Sequence, residues 1–391
     1  MKRIVRKYAP PIFHCINDFG QGSLAALIPF FIANYGLNYY QAATVIFCNT
    51  IVASVAQPVL GYVADRWRVP WFIPLGFTIC LVSLSAISLA TSYEMILLLS
   101  LIAGIGAALF HPEAALLVKR TQSNEIGNAM GRFAVGGSAG FALGPLIAGG
   151  TYIFGANYLW IFTVAAAIGV ALYYYAFTGD GESTVTQEKM TKDDRDATND
   201  WLSFGKLFFI ISSRSILFSV LSIFIPILYI TVINGTPETS SLALTAYFGL
   251  GGILTYVGGW LSDRIGFLKT IKLGYIVFLP SVLAFIFIPN IWGFFGAMIP
   301  MAFGVFSQYG PVTVLGQKYL AKNAGFASGI TLGLGITLGG LVAPYVGHLA
   351  DIYGVQTALE VLIPVGLVGL IMSFLLREPE IQLSQSPNIV V

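Results

Sequence analysis

Four side chains in the first third of the chain have the types and spacing for proton or metal chemistry. His14 and Asp18 are four residues apart in Phe-His-Cys-Ile-Asn-Asp-Phe. On a helix that spacing puts them on one face. His111 and Glu113 flank Pro112 in Phe-His-Pro-Glu. Two apart, they share a face less closely, although proline can distort the turn. All four lie in long apolar stretches, where an ionisable side chain is costly and functional by default. Two imidazoles and two carboxylates can carry protons, ligate Zn²⁺ or Mn²⁺, or form a structural charge network. Proton coupling by Asp18, Glu113, His14 and His111 is the favoured reading. An arginine expected at the same depth, Arg132, would oppose a cation, so no metal and no cofactor are expected. An intramembrane metal-binding enzyme is the alternative from another class. His348 stands alone and reads as an interfacial histidine.

The elements that must position these groups follow from composition. Of 391 residues, 56% are hydrophobic and 10% charged, against about 25% charged in soluble domains. An ordinary soluble enzyme is excluded on that ground. A net charge of +2 gives no reason to expect nucleic acid. Cys15, Cys48 and Cys80 all fall in apolar stretches and read as packing residues, not a disulfide framework. A bilayer core takes roughly 20 apolar residues per helix. Stretches of that kind run at 10–36, 40–63, 70–91, 94–118, 127–150, 155–178, 212–234, 241–261, 269–288, 291–316, 325–349 and 355–376. The expected fold is an all-α membrane protein of twelve transmembrane helices. The first span follows Lys2, Arg3, Arg6 and Lys7, but it is too long for a signal-peptide core and no small-residue cleavage site follows, so it reads as a retained anchor.

Lys and Arg fall on one side of these spans. The opposite loops show only Glu94, Glu238, Asp351 and Glu360. By the positive-inside rule both termini are cytoplasmic in a plasma (inner) membrane. Arg132 and Arg214 are expected just inside the cytoplasmic ends of spans 5 and 7. Counting about 1.5 Å per residue puts Asp18 about 12 Å deep, and Glu113 and Arg132 about 8 Å deep. Residues 179–204 are acidic and polar, with almost no large apolar side chain before Trp201, and such composition cannot build a core. They read as a cytoplasmic linker between an N-terminal half, 1–178, and a C-terminal half, 205–391.

The halves are repeats. At an offset of 198, Gly61, Asp65 and Arg66 fall on Gly259, Asp263 and Arg264. At 199, Pro112, Lys119, Gly140 and Pro145 fall on Pro311, Lys318, Gly339 and Pro344. Parallel six-helix repeats are a transporter architecture, with the substrate site near the midplane between them. At the same offset His14, Asp18, His111 and Glu113 meet Ser213, Leu217, Gly310 and Val312, so the titratable chemistry is one-sided.

Gly259-Trp260-Leu261-Ser262-Asp263-Arg264-Ile265-Gly266 resembles the cytoplasmic loop motif of the major facilitator superfamily. Gly61 to Arg68 is a similar copy without the final glycine, so its tight turn is made differently. The resemblance implies two six-helix pseudo-repeats, with Asp65, Arg66, Asp263 and Arg264 as a cytoplasmic gate. His14 to Asp18, Gln57 to Tyr62, Pro70, Trp71 and Pro74, Phe110 to Glu113, and Pro226 in span 7 are similar to the fosmidomycin resistance protein branch. That branch implies proton-driven export of small, often toxic, molecules, hence drug resistance. Gly140 to Gly149 resembles the glycine-proline motif of superfamily antiporters. The resemblance also implies that spans 1, 4 and 5 meet, bringing Asp18, Glu113 and Arg132 together.

The expected activity is therefore that of a proton-coupled secondary exporter working by alternating access and acting as a monomer. An importer or facilitator on the same fold is the alternative, since fold does not fix direction. No Walker-type loop is present to suggest ATP. Candidate substrate contacts are Asn17, Arg132, Gln57, Phe306 and Tyr309, with Asn49, Gln308, Phe218, Phe224 and Tyr229 as further cavity candidates.

Overall fold

The computed structural model describes residues 2–67, 69–121, 126–177, 199–288, 290–323, 327, 330–331 and 335–379. Among these the chain is helical almost throughout. Helix α1 is broken into α1a (Lys2–Ala26) and α1b (Ile28–Tyr35). There follow α2 (Tyr39–Trp67), α3 (Phe72–Ala86), α4 (Tyr93–Thr121), α5 (Ile126–Phe154) and α6 (Trp160–Phe177). The second half contains α7 (Trp201–Thr231), α8 (Pro237–Ile265), α9 (Phe267–Phe287), α10a (Ile291–Phe306), α10b (Tyr309–Tyr319), α11 (Gly335–Tyr353), α12a (Val355–Leu359) and α12b (Leu362–Leu375).

Ten described helices are long and apolar enough to cross a bilayer, and the α1 pair, bent by 46°, makes an eleventh. The twelfth element is α11, whose polar Gly, His and Asp residues dilute its apolar run. It packs between α2 and α7. Large apolar side chains such as Ile253, Tyr256 and Trp292 face outward, as a helix surface against lipid does. The protein is a multi-pass membrane protein.

Local sequence explains where the helices break. Pro29 lies at the start of α1b, where its missing N–H costs nothing but ends the hydrogen-bond ladder of α1a. Asn38 and Gln41 cap α2 reciprocally: Gln41 N–H donates to Asn38 Oδ1 (2.8 Å) and Asn38 N–H to Gln41 Oε1 (3.1 Å), leaving fewer orphaned amides at that helix start. The turn between α8 and α9 needs Gly266, whose φ is 96°, a region that side chains avoid. Its counterpart in the first repeat, Arg68, lies outside the described residues.

Two boundaries differ from the sequence reading. Helix α7 begins at Trp201, so 201–204 form its first turn instead of linker, capped by Asp200, whose Oδ1 accepts from Ser203 N–H (2.9 Å). The stretch 178–198 lies outside the described residues. Arg214 is therefore thirteen residues into α7, about 20 Å along its axis, and is buried. It does not sit just inside a helix end as expected, because the helix runs on for eleven residues before 212, through Trp201 to Ile211.

The halves meet through α2 with α11 and α5 with α8. One face of the bundle bears Lys2 and Arg377; the other is the far face. The meeting is tight toward the far face. A Cβ on Gly347 would lie 2.6 Å from the Tyr39 carbonyl, and one on Gly149 3.1 Å from Ser241 Cβ. Lower down, Phe141 of α5 packs on Phe248 and Phe218 at 5.4 and 6.4 Å. Phe218 and Tyr247 both reach Phe306, at 5.8 and 5.2 Å. This ring cluster joins the halves at mid-depth. On the other side of it Tyr309 is 41% exposed. The bundle is thus sealed at the far face and open toward the termini.

Candidate proton and substrate site

Asp18 lies on α1a and is 4% exposed. Three donors converge on it. His14 Nε2 is 3.0 Å from Oδ2, His111 Nε2 of α4 is 3.2 Å from Oδ1, and Asn17 Nδ2 donates to Oδ1 at 3.0 Å. Each imidazole is also fixed through its other nitrogen. His14 Nδ1 donates to the Phe133 carbonyl of α5 at 2.7 Å, and His111 Nδ1 to the Ala107 carbonyl at 2.8 Å. His14 further stacks on Phe133, with ring centroids 4.0 Å apart.

These contacts orient both rings. A backbone carbonyl only accepts, so each Nδ1 carries a hydrogen and each Nε2 is turned to a carboxylate oxygen of Asp18.

Helix α5 makes room for this. At Gly137 a Cβ would come within 2.5 Å of His14 Cε1 and 2.9 Å of Asp18 Oδ2, and at Gly140 within 2.5 Å of the Cys15 carbonyl. The glycine-rich stretch that resembled an antiporter motif therefore does its packing directly against the helix carrying Asp18, as small residues in membrane helices allow. His14, Asp18 and His111 also place ligand atoms within 4.8 Å of one another, a donor set a divalent cation could use.

Glu113 does not join the triad. It is fully buried and paired with Arg120 of the same helix at 2.5 Å. The physical reason is the spacing: two residues from His111, its carboxylate leaves the His111 face, and Arg120 reaches back from seven residues on. Arg132 is half-buried with its guanidinium 6.0 Å from the Tyr8 ring, nearer the start of α1a than the triad. Asn17 is fully buried and holds the Asp18 carboxylate, so it is a positioning residue here. Gln57 is half-buried on α2. Phe306 belongs to the ring cluster of the seam. Of the proposed substrate residues, Tyr309 is the one exposed between the halves. Its ring lies 5.3 Å from the Arg214 guanidinium.

At the terminal face, Arg66 donates to Tyr62 Oη at 2.8 Å, and Arg264 lies 4.1 Å over the Trp260 ring. Asp263 is exposed and paired with no described cation. The Asp65 side chain lies outside the described residues. Among the described gate residues, Arg66 and Arg264 each make these contacts within their own half.

Two residues escaped the sequence reading. Arg214 was placed too shallow; the repeat itself held the signal, since α1a starts at Lys2 and α7 at Trp201, an offset of 199. Asp351 read as an ordinary loop acid. From α11 its carboxylate accepts the Tyr39 and Tyr40 N–H groups of α2 at 2.7 and 3.0 Å, tying the halves together at the far face. His348 lies beside this contact, 6.4 Å from the Tyr40 ring.

Comparison with known proteins agrees with this architecture. The family model described as Major Facilitator Superfamily matches residues 12–343 and 207–389. The fosmidomycin resistance protein of Escherichia coli (strain K12) is 26% identical over 379 residues, covering 93% of this chain and 90% of that protein. The uncharacterized MFS-type transporter YfnC of Bacillus subtilis (strain 168) is also 26% identical, over 375 residues, covering 93% and 91%. The inward-facing, unoccupied structure of a bacterial homologue of the human lysosomal transporter Spinster superposes with a TM-score of 0.80. It covers 96% of both chains at 14% identity.

Proposed function

We propose that this chain, which belongs to the major facilitator superfamily, exports a small molecule in exchange for protons. That it is a transporter, not an enzyme, follows from the family. Exchange and direction are our reading. The observation that carries them is the triad: one buried carboxylate with both imidazoles directed at it, a group of the kind that takes up and releases protons. The name of the Escherichia coli relative speaks of fosmidomycin resistance, and a transporter confers resistance to a compound by removing it. The Lys/Arg distribution puts the terminal face in the cytoplasm.

In the proposed cycle the triad loads protons when it faces outward and releases them into the cytoplasm. The ring cluster around Phe141 and the Asp351 contact form the outer seal. They open when the halves rock, while Asp65, Arg66, Asp263 and Arg264 close the cytoplasmic side. One inward charge is driven by about 2.3 kcal/mol per 100 mV, and each pH unit adds about 1.4 kcal/mol. One proton per turnover therefore supports a gradient of order a hundredfold at modest potential.

The test is proton flux in proteoliposomes on adding a panel of anionic, neutral and cationic compounds, beginning with fosmidomycin. Asp18→Asn should abolish uphill transport and leave counterflow. If the Asp18→Asn carrier still moves protons with substrate at the wild-type ratio, the coupling site lies elsewhere.

A further inference from the structure

The second half contains one buried charge that the proton chemistry does not use. Arg214 of α7 is 7% exposed, and its Nε has no hydrogen-bond partner. No described carboxylate pairs with it. The charged and titratable groups that face it are tyrosines: Tyr309 at the start of α10b, Tyr275 of α9 and Tyr247 of α8. The Tyr275 hydroxyl is committed to the Ile210 carbonyl at 3.0 Å, whereas the Tyr247 hydroxyl is buried without a partner. A ring face attracts a cation but does not neutralise it. The acid across the opening, Asp18, is saturated by His14, His111 and Asn17.

A buried charge is normally paired or neutralised. An arginine cannot shed its proton, so an unpaired one at the wall of an opening needs an anion from outside the chain. The planar guanidinium fork matches the oxygens of a carboxylate, phosphate, phosphonate or sulfonate, two at a time. We propose that Arg214, with the exposed Tyr309 ring 5.3 Å from its guanidinium, binds an oxyanion group of the transported substrate. This names a substrate class for the transporter proposed above and rests on that reading. The repeat makes the arrangement intelligible. At an offset of 199, Arg214 corresponds to Cys15, directly beside His14. One register of the fold therefore holds the proton site in the first half and the anion site in the second.

The experiment uses full-length protein in uncharged detergent, with ligand-dependent thermal stabilisation as the readout. The probes are phenylphosphonate, benzoate and benzenesulfonate, set against neutral benzamide and cationic benzylamine. At least one oxyanion should stabilise the wild type, and neither control should compete with it. Arg214→Gln should weaken that binding about 10- to 100-fold, the effect of losing hydrogen bonds to a charge. Arg214→Lys keeps the charge without the fork and should fall between. Tyr309→Leu should weaken binding without touching the arginine. Without ligand, Arg214→Leu should be at least as stable as wild type, since it removes an unpaired buried charge. If Arg214→Gln does not fold, the Lys and Tyr309 variants decide.

Stabilisation by none of the oxyanions, or equal stabilisation in wild type and variants, overturns the proposal. So does stabilisation by added phosphatidylglycerol, lost in Arg214→Gln, together with indifference to the soluble probes, which would make the site a lipid headgroup site. The two readings fail separately. Wild-type proton flux in the Asp18→Asn carrier refutes coupling without bearing on oxyanion binding. Unchanged oxyanion binding after Arg214→Gln refutes this assignment whatever the flux.

Discussion

Replacing Asp351 by alanine should open the far face. In the closed arrangement its two carboxylate oxygens accept the Tyr39 and Tyr40 N–H groups at 2.7 and 3.0 Å, so a side chain of the second half caps the first turn of a helix in the first. Loss of a capping oxygen typically costs about 1 kcal/mol. A negative charge at an exposed helix start adds about 0.3–1 kcal/mol. Both vanish when the halves part, because water then takes the amides. The full 1–2 kcal/mol is therefore differential between the states, and only differential energy shifts a population. The expected shift toward the outward-open state is about 5- to 30-fold at 1.4 kcal/mol per decade. Asp351→Asn keeps an acceptor and loses the charge, so it should move the equilibrium less. The assay is the labelling rate of a cysteine at Ser241, which is buried against α5 in the seam. It is read with an impermeant thiol reagent after Cys15, Cys48 and Cys80 are replaced. Equal rates in wild type and Asp351→Ala would refute the latch. Equal rates in the Asn and Ala variants would remove the electrostatic part of the reasoning.

Two further outcomes follow. Glu113→Gln leaves Arg120 without its buried partner, so it should lower stability by about 1–3 kcal/mol while the proton-to-substrate ratio stays at the wild-type value; a changed ratio would put Glu113 back in the coupling site. Asp200 accepts hydrogen bonds from the Ser203 backbone and hydroxyl at the start of α7, which holds its carboxyl below the usual range. Its stabilisation is present above the unfolded pKa of about 4 and is lost as pH falls through the lower folded value. Asp200→Ala should therefore lower the Tm at neutral pH by about 2 °C, with wild type and variant converging in strong acid.

What the sequence could and could not show divides along physical lines. The spans were legible because a bilayer imposes length and apolarity on each helix, and the repeat because two copies keep one offset. His14, Asp18 and His111 were legible as a group because ionisable residues in such stretches are rare. Glu113 was grouped with them wrongly: depth along a helix axis does not give direction around it, and Arg120, outside the apolar window, was not considered as its partner. Arg214 was misplaced because the span was begun at 212, although Leu207 to Ile211 before it are also apolar and α7 starts at Trp201. Asp351 could not have been found from its own neighbourhood. Its partners are backbone amides some 310 residues away, and backbone donors carry no sequence signature.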